Sequence, residues 1–263
     1  MCALGITEPG TGSDMAALST RAVKDDRHYR LTGSKIFITN GVYGDLYFVA
    51  ARTAPATAGR RHDGISMFLV ERGLPGFTVS RKLDKMGMRA SDTAELAFHD
   101  CPVPAENLLG VEGRGFQQLA AGLQRERIMA AVLALSGAAQ ALEDTLAYLR
   151  ERHAFGEPSA RSRRCGTRSP TWRPRSRRRA SSSITRWRAT CAGEDSTTEV
   201  SMAKLFATEV ANRVAYQAVQ LHGGYGYMRE FPVEGFFRDV RLWTIASGTS
   251  EIMKEIIAKK LLP

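Results

Sequence analysis

Residues that could build a framework of their own are scarce in this chain. Its four cysteines, Cys2, Cys101, Cys165 and Cys191, form no Cys-x-x-Cys pair and stand at no zinc-holding spacing with the five histidines. That excludes a disulfide scaffold and a zinc module; no metal is expected, and a reduced, cytoplasmic setting is. No apolar run of about 18 residues occurs. Met1 is followed by Cys2-Ala3-Leu4-Gly5 rather than by a basic region and an apolar stretch, so no membrane attachment is expected. Acid is nearly missing from one stretch: residues 157–193 hold eleven arginines against Glu157 alone, which equals the +10 of the whole chain. The remaining residues sum to zero, so the pI of 9.8 describes one segment and not a binding face.

What is present is 263 residues, 43% of them hydrophobic, enough to bury a core in one large or two smaller domains. From Tyr29 to about Pro104 short β-rich runs follow one another: "YRLTGSKIFITNG", "DLYFVAAR", "GISMFLVER", "GFTVSRKL" and "AELAFHD". Gly33, Asn40-Gly41, Asp63-Gly64 and Pro75-Gly76 punctuate them. Turn signals at that spacing predict an antiparallel barrel or sandwich rather than βαβ units. After Pro104 the period changes. Phe116 to Arg152 carries Leu119, Leu123, Met129, Val132 and Leu135 at helical spacing. Ser196 and Glu199 have the spacing of a capping box, and the apolar series from Met202 to Val219 stops at Gly223-Gly224. A last helix is predicted from Thr249 or Ser250, with Glu251 favourable in its first turn and Lys259 and Lys260 at its end. The expected fold class is α+β: an antiparallel β-barrel-like domain over residues 1–110, then a helical bundle over 111–263, without internal repeats.

Six blocks, "GITEPGTGSD", "KIFITNG", "GLQRERIMAA", "RHAFG", "QLHGGYGY" and "GTSEIMKEII", resemble the acyl-CoA dehydrogenase family in the family's order. These are flavoproteins that desaturate an acyl-CoA between Cα and Cβ. The resemblance covers nearly all the chain outside Gly156 to Gly193. It implies a middle β domain and a C-terminal four-helix-bundle domain, with the family's N-terminal helical domain absent. It also implies FAD as cofactor, an acyl-CoA substrate, electron-transfer flavoprotein as electron acceptor, and a homodimer or homotetramer.

The chemistry sets what such a site must contain. An unactivated Cα–H is a very weak acid, so a carboxylate must take the proton while the thioester carbonyl is polarised and a hydride leaves Cβ for flavin N5. Many members of the family place the base directly before the Gly-Thr of the last block, where this chain has Ser247 in "IASGTSEI". Long-chain and isovaleryl-type members carry it as Glu-Arg on the first helix of the C-terminal domain, and this chain has Glu126-Arg127 in "LQRERI". Glu126 is therefore the expected base, with Arg127 beside it at the substrate.

The same resemblance puts Thr7 at the flavin ring edge, Thr39 near flavin N5 and Ser13 on the CoA arm. It assigns the ADP half to Arg152, Phe155, Gln220, Gly223 and Gly224, reaching across a dimer interface, and further flavin contacts to Thr249 and Glu251. Read without the family, these residues describe ordinary structure. Asp14 would cap a helix, Asn40-Gly41 is a turn, Arg152 ends a helix, the paired glycines are a C-cap, and a glutamate between two arginines is a solvated charge.

The Arg-rich stretch admits two readings. With Trp172 and Trp187 it could bind phosphates and stack on bases, which would make a basic nucleic-acid-binding protein. The family needs a helix here, and the length between "FG" and "SMAK" suits one. Length kept with helix-forming chemistry lost is the signature of a shifted reading frame over residues 157–192, and this reading is preferred, so nucleic acid is not expected as a partner. An acyl-CoA oxidase on the same scaffold is the other alternative. An absent domain and unpaired arginines in a bundle further predict poor retention of flavin.

Overall fold

A computed structural model describes residues 1–161 and 195–262; the Arg-rich stretch beyond Arg161, with the frame-shift and nucleic-acid readings that fall on it, lies outside the described residues. The chain forms two compact units, Met1–Ala121 and Gly122–Pro263.

In the first unit β1 (Cys2–Gly5), β2 (Arg21–Asp25), β3 (His28–Thr39), β4 (Leu46–Arg52), β5 (Ile65–Glu71), β6 (Phe77–Lys82) and β7 (Thr93–Pro104) form one curled sheet. The strand order is β1-β4-β2-β3-β7-β6, with β5 against β4. The expected succession of a β unit and a helical unit is met. The sheet, however, is mixed and not wholly antiparallel. Cys2–Gly5 runs parallel to Leu46–Val49, and Arg21 meets Arg52 in parallel further along β4. Alternation in sequence fixes which face of a strand is buried, not which strand lies beside it, so these pairings left no local signal.

Two apolar clusters explain why the central runs read as continuously hydrophobic. Tyr47, Val49 and Ala51 of β4 and Phe68 and Val70 of β5 join Leu31, Leu96, Phe98 and Val103 in the main core. The alternate residues Phe48, Ala50, Ile65 and Met67 pack on the other side with Leu18, Leu109 and Leu119. A strand covered on both faces loses the in-out polarity of a surface strand. Each large side chain so buried contributes about 1.5–3 kcal/mol over leaving it in water. Tyr47 keeps its hydroxyl satisfied inside: it donates to the carbonyls of Gly41 and Gly44 (3.1 and 2.9 Å) and accepts from Arg72.

The second unit holds α1 (Gly115–Glu151, its first turns counted with the first unit), a hairpin of β8 (His153–Ala154) and β9 (Glu157–Pro158), α2 (Thr197–His222), α3 (Pro232–Val240) and α4 (Ser250–Leu261). Ala134 and Ala138 of α1 meet Ala211, Val214 and Ala215 of α2 in a buried cluster, and small side chains of this kind let two helix backbones approach closely. Gly137 serves the same packing, since a Cβ there would lie 2.4 Å from the Phe236 ring.

The boundaries follow local chemistry. α4 starts at Thr249, whose Oγ1 accepts the Ile252 N–H at 3.3 Å. α2 stops at Gly223, which takes φ +61° and donates its N–H to the Gln220 carbonyl. The start of α2 differs from expectation: Ser196 occupies the N-cap, but its side chain makes no capping bond. Asp195 accepts the Thr197 N–H at 3.2 Å and is held in place by Lys260 Nζ at 3.1 Å, so an ionised acceptor one residue earlier takes the helix end. Among the described residues no helix is long and apolar enough to cross a membrane.

Candidate active site

Within the first unit, the segment carrying Thr7 is tied down from inside. Glu8 is 4% exposed, and its carboxylate accepts the Ser19 N–H and hydroxyl at 2.6 Å each, the Thr20 N–H at 2.9 Å and Lys35 Nζ at 2.8 Å. Lys35 is fully buried and donates also to the Ile6 carbonyl at 3.0 Å. Burial alone would raise the Glu8 carboxyl, but the Lys35 charge and the hydrogen bonds from Lys35, Ser19 and Thr20 outweigh it and hold it at about 2. The Thr7 carbonyl accepts the Ile36 N–H at 2.9 Å, which places this loop beside β3 where that strand bulges between Lys35 and Ile38. At the bulge Phe37 takes φ +61° and stands 66% exposed, and Thr39 follows, exposed, at the end of the strand. Ser13 is exposed. Asp14 makes no side-chain cap; its carboxylate pairs with Arg61 at 2.7 Å.

Within the second unit, Glu126 and Ser247 meet although 121 residues separate them. The Ser247 hydroxyl donates to Glu126 Oε2 at 3.0 Å. Two buried cations fix the backbone at that point. Arg127, 6% exposed, donates through Nε to the Ser247 carbonyl at 3.1 Å, and Lys204, fully buried, donates through Nζ to the Gly248 carbonyl at 2.6 Å. Burial and the nearby Arg127 charge bring the Lys204 ammonium down to about 8, against the pull of Glu251. Ser247 takes φ +55° and Gly248 φ +100°, a sharp approach to α4. Arg127, expected at the substrate, thus has its guanidinium on a main-chain carbonyl.

The "RHAFG" and "QLHGGYGY" blocks also come together. Tyr148 stacks on His222 at 4.3 Å and donates its hydroxyl to the His222 carbonyl at 3.2 Å; Phe231 packs edge-on against both rings. Arg152 lies over the Tyr225 ring, 6.0 Å from its centroid. Phe155 and Gly156 form the two-residue tip of the β8–β9 hairpin with φ +55° and +84°, and Phe155 is fully exposed. Gln220, Gly223 and Gly224 are exposed where α2 ends. A cavity of about 470 Å³ opens beside the start of α4, lined by Thr249, Ser250 and Glu251 together with Asn212, Arg213 and Arg241. Glu209 lines it too, so its two guanidiniums face two carboxylates beside the start of α4. Glu251 lies at its edge, its carboxyl held below the usual range by its own N–H and by the Thr249 hydroxyl.

The arrangement matches a known family over both units. Residues 3–101 fit the model of the acyl-CoA dehydrogenase middle domain, and residues 113–262 fit that of the acyl-CoA dehydrogenase C-terminal domain. The chain belongs to the acyl-CoA dehydrogenase family. It is 44% identical to an acyl-CoA dehydrogenase of Bacillus subtilis, over 99% of this chain and 68% of that one. It is 42% identical to the mitochondrial long-chain specific acyl-CoA dehydrogenase of Rattus norvegicus, over 99% of this chain but 60% of that one. The crystal structure of acyl-CoA dehydrogenase from Geobacillus kaustophilus superposes with a TM-score of 0.96 at 45% identity, covering all of this chain and 69% of that one. The chain therefore spans about 60% of the length of its mitochondrial long-chain relatives.

For a member of the acyl-CoA dehydrogenase family, four structural contributors went unread in the sequence: Glu8, Lys35, Lys204 and Tyr148. Two of them had a visible signal. Lys35 interrupts an alternating strand at a core position, and Lys204 sits on the apolar face of α2 between Val200 and Ala207, where a cation must find a partner.

Proposed function

We propose that these two units carry the middle and C-terminal parts, residues 1–110 and 111–263, of an FAD-dependent acyl-CoA dehydrogenase. One observation carries the reading: the Glu126 carboxylate lies at the Ser247 hydroxyl, 3.0 Å away. The two sequence positions at which the family places its base thus fall on one point, and the only acid of the two is Glu126. Among the relatives, those named as dehydrogenases at 38–45% identity favour this over an oxidase and over nucleic-acid binding.

The residues present fit the cofactor in chemical kind. The cavity beside the first turn of α4, with Thr249 and Glu251 at its rim and both arginines and glutamates in its wall, would offer hydrogen-bond donors and acceptors to the flavin. Arg152, Gln220, Gly223 and Gly224 would take the ADP half, and the exposed Phe155 tip suits a contact made by a second copy of the chain, in a homodimer or homotetramer. Thr7 would hold the flavin ring edge, Thr39 would lie near flavin N5, and Ser13 would take the CoA arm. When bound, the flavin supplies the acceptor for the hydride that leaves Cβ. The chain's own part is the proton: Glu126 takes it from Cα, and the electron pair of that C–H bond becomes the second bond between Cα and Cβ. Arg127 acts by holding the Ser247 backbone. Electron-transfer flavoprotein would reoxidise the flavin, and a cytoplasmic location fits the bacterial relatives.

The test is to titrate the chain with FAD and assay it on butyryl-, octanoyl- and palmitoyl-CoA with a dye acceptor. Glu126→Gln should bind FAD as the parent does and lose dehydrogenation by at least about 10³-fold, the scale of a general base with no substitute. Full activity in that variant sinks the assignment.

A further inference from the structure

We propose that Ser247 is a positioning residue for the base: its hydroxyl fixes one oxygen of Glu126 so that the other faces the substrate proton. The proposal rests on Glu126 being the base. A carboxylate at the end of three rotatable side-chain bonds has no preferred aim of its own, and a donor at 3.0 Å on Oε2 selects one rotamer and leaves Oε1 to take the proton. No donor among the described residues reaches Oε1.

The placement of Ser247 argues for a fixed device and not a chance contact. A serine at φ +55° is in the left-handed region that side chains other than Gly, Asn and Asp occupy reluctantly. Here two buried cations hold it there by its main chain. Arg127 Nε lies on its carbonyl at 3.1 Å, and Lys204 Nζ lies on that of Gly248 at 2.6 Å. With its backbone held in this way, the Ser247 hydroxyl stands within 3.0 Å of the Glu126 carboxylate and donates to it. Where a family member carries a glutamate at this position, the side chain is the base itself. In this chain the same position directs a base supplied by α1.

The experiment measures exchange of the Cα hydrogens of a bound acyl-CoA for deuterium in D₂O by mass spectrometry, using whichever of the three acyl-CoAs is turned over fastest and the FAD-loaded full chain. This reads proton abstraction without requiring net oxidation. Ser247→Ala should slow exchange about tenfold, the scale of one hydrogen bond to a charged group, with acyl-CoA affinity and melting temperature unchanged. Ser247→Gly removes the hydroxyl while relieving the positive φ. It should lose exchange equally and melt no lower, which a merely structural role forbids. Ser247→Asn keeps a donor and tolerates the backbone angle, so it should recover part of the rate, whereas a β-branched threonine would not suit φ +55°. Exchange at the parent rate in the Ala and Gly variants overturns the proposal. So does loss in step with a fall in melting temperature that Asn fails to relieve. Glu126→Gln separates the two levels: if it exchanges at the parent rate, the base itself is misassigned, whatever Ser247 does.

Discussion

Lys35→Met is the perturbation whose cost the structure sets most tightly. It leaves the Glu8 carboxylate 4% exposed with three neutral donors and no counter-charge. Removing one partner of a buried pair costs about 3–5 kcal/mol. The titration of the pair has the same cause: Lys35 and the hydrogen bonds hold the Glu8 carboxyl at about 2, well below the 4.5 of a free one, while burial lowers the Lys35 ammonium. The sign follows from the depressed value. Between about pH 2 and 4.5 the unfolded chain binds a proton that the folded chain does not, so this stability is complete above 4.5 and is lost as the pH falls toward 2. Urea unfolding followed by far-UV circular dichroism should place Lys35→Met and Glu8→Gln each about 3–5 kcal/mol below the parent at pH 7. The double variant Glu8→Gln/Lys35→Met should cost clearly less than the two singles added, because each single leaves the other group stranded. At pH 3 the advantage of the parent over Glu8→Gln should be visibly smaller. Single variants costing under about 1 kcal/mol, or strictly additive costs, would refute the view that this pair anchors the Thr7 loop.

Two further outcomes follow from the second unit. Gly248→Ala puts a side chain at φ +100° with its Cβ 2.7 Å from Met253 Cε, and should cost about 1–3 kcal/mol in thermal unfolding; an unchanged melting temperature would mean that the approach to α4 is not fixed. Ser247→Glu introduced into Glu126→Gln should restore part of the dehydrogenation, since the new carboxylate starts from a residue whose hydroxyl is 3.0 Å from the old one. A double variant as inactive as the single would place the two positions at different points of the reaction.

What the sequence disclosed was what short-range chemistry decides. Thr249 and Gly223 mark helix ends because a hydroxyl acceptor and a left-handed glycine act within a few residues, and both stand where expected. The capping box at Ser196 misled for the same reason: spacing alone gave no weight to the carboxylate of Asp195 one residue earlier. The parallel pairing of β1 and β2 with β4 could not be read, because a four- or five-residue strand carries no record of its partner. The meeting of Glu126 with Ser247 could not be read, since it depends on a contact across 121 residues. Lys35 and Lys204 were overlooked as ordinary lysines; only burial turns a lysine into a rigid donor.

The clamp on Ser247 and Gly248 grips main-chain oxygens and touches no side chain. It therefore depends on the backbone angle at position 247 and not on a particular side-chain contact. A lineage could exchange serine, asparagine or glycine there, all of which tolerate φ +55°, without moving the loop.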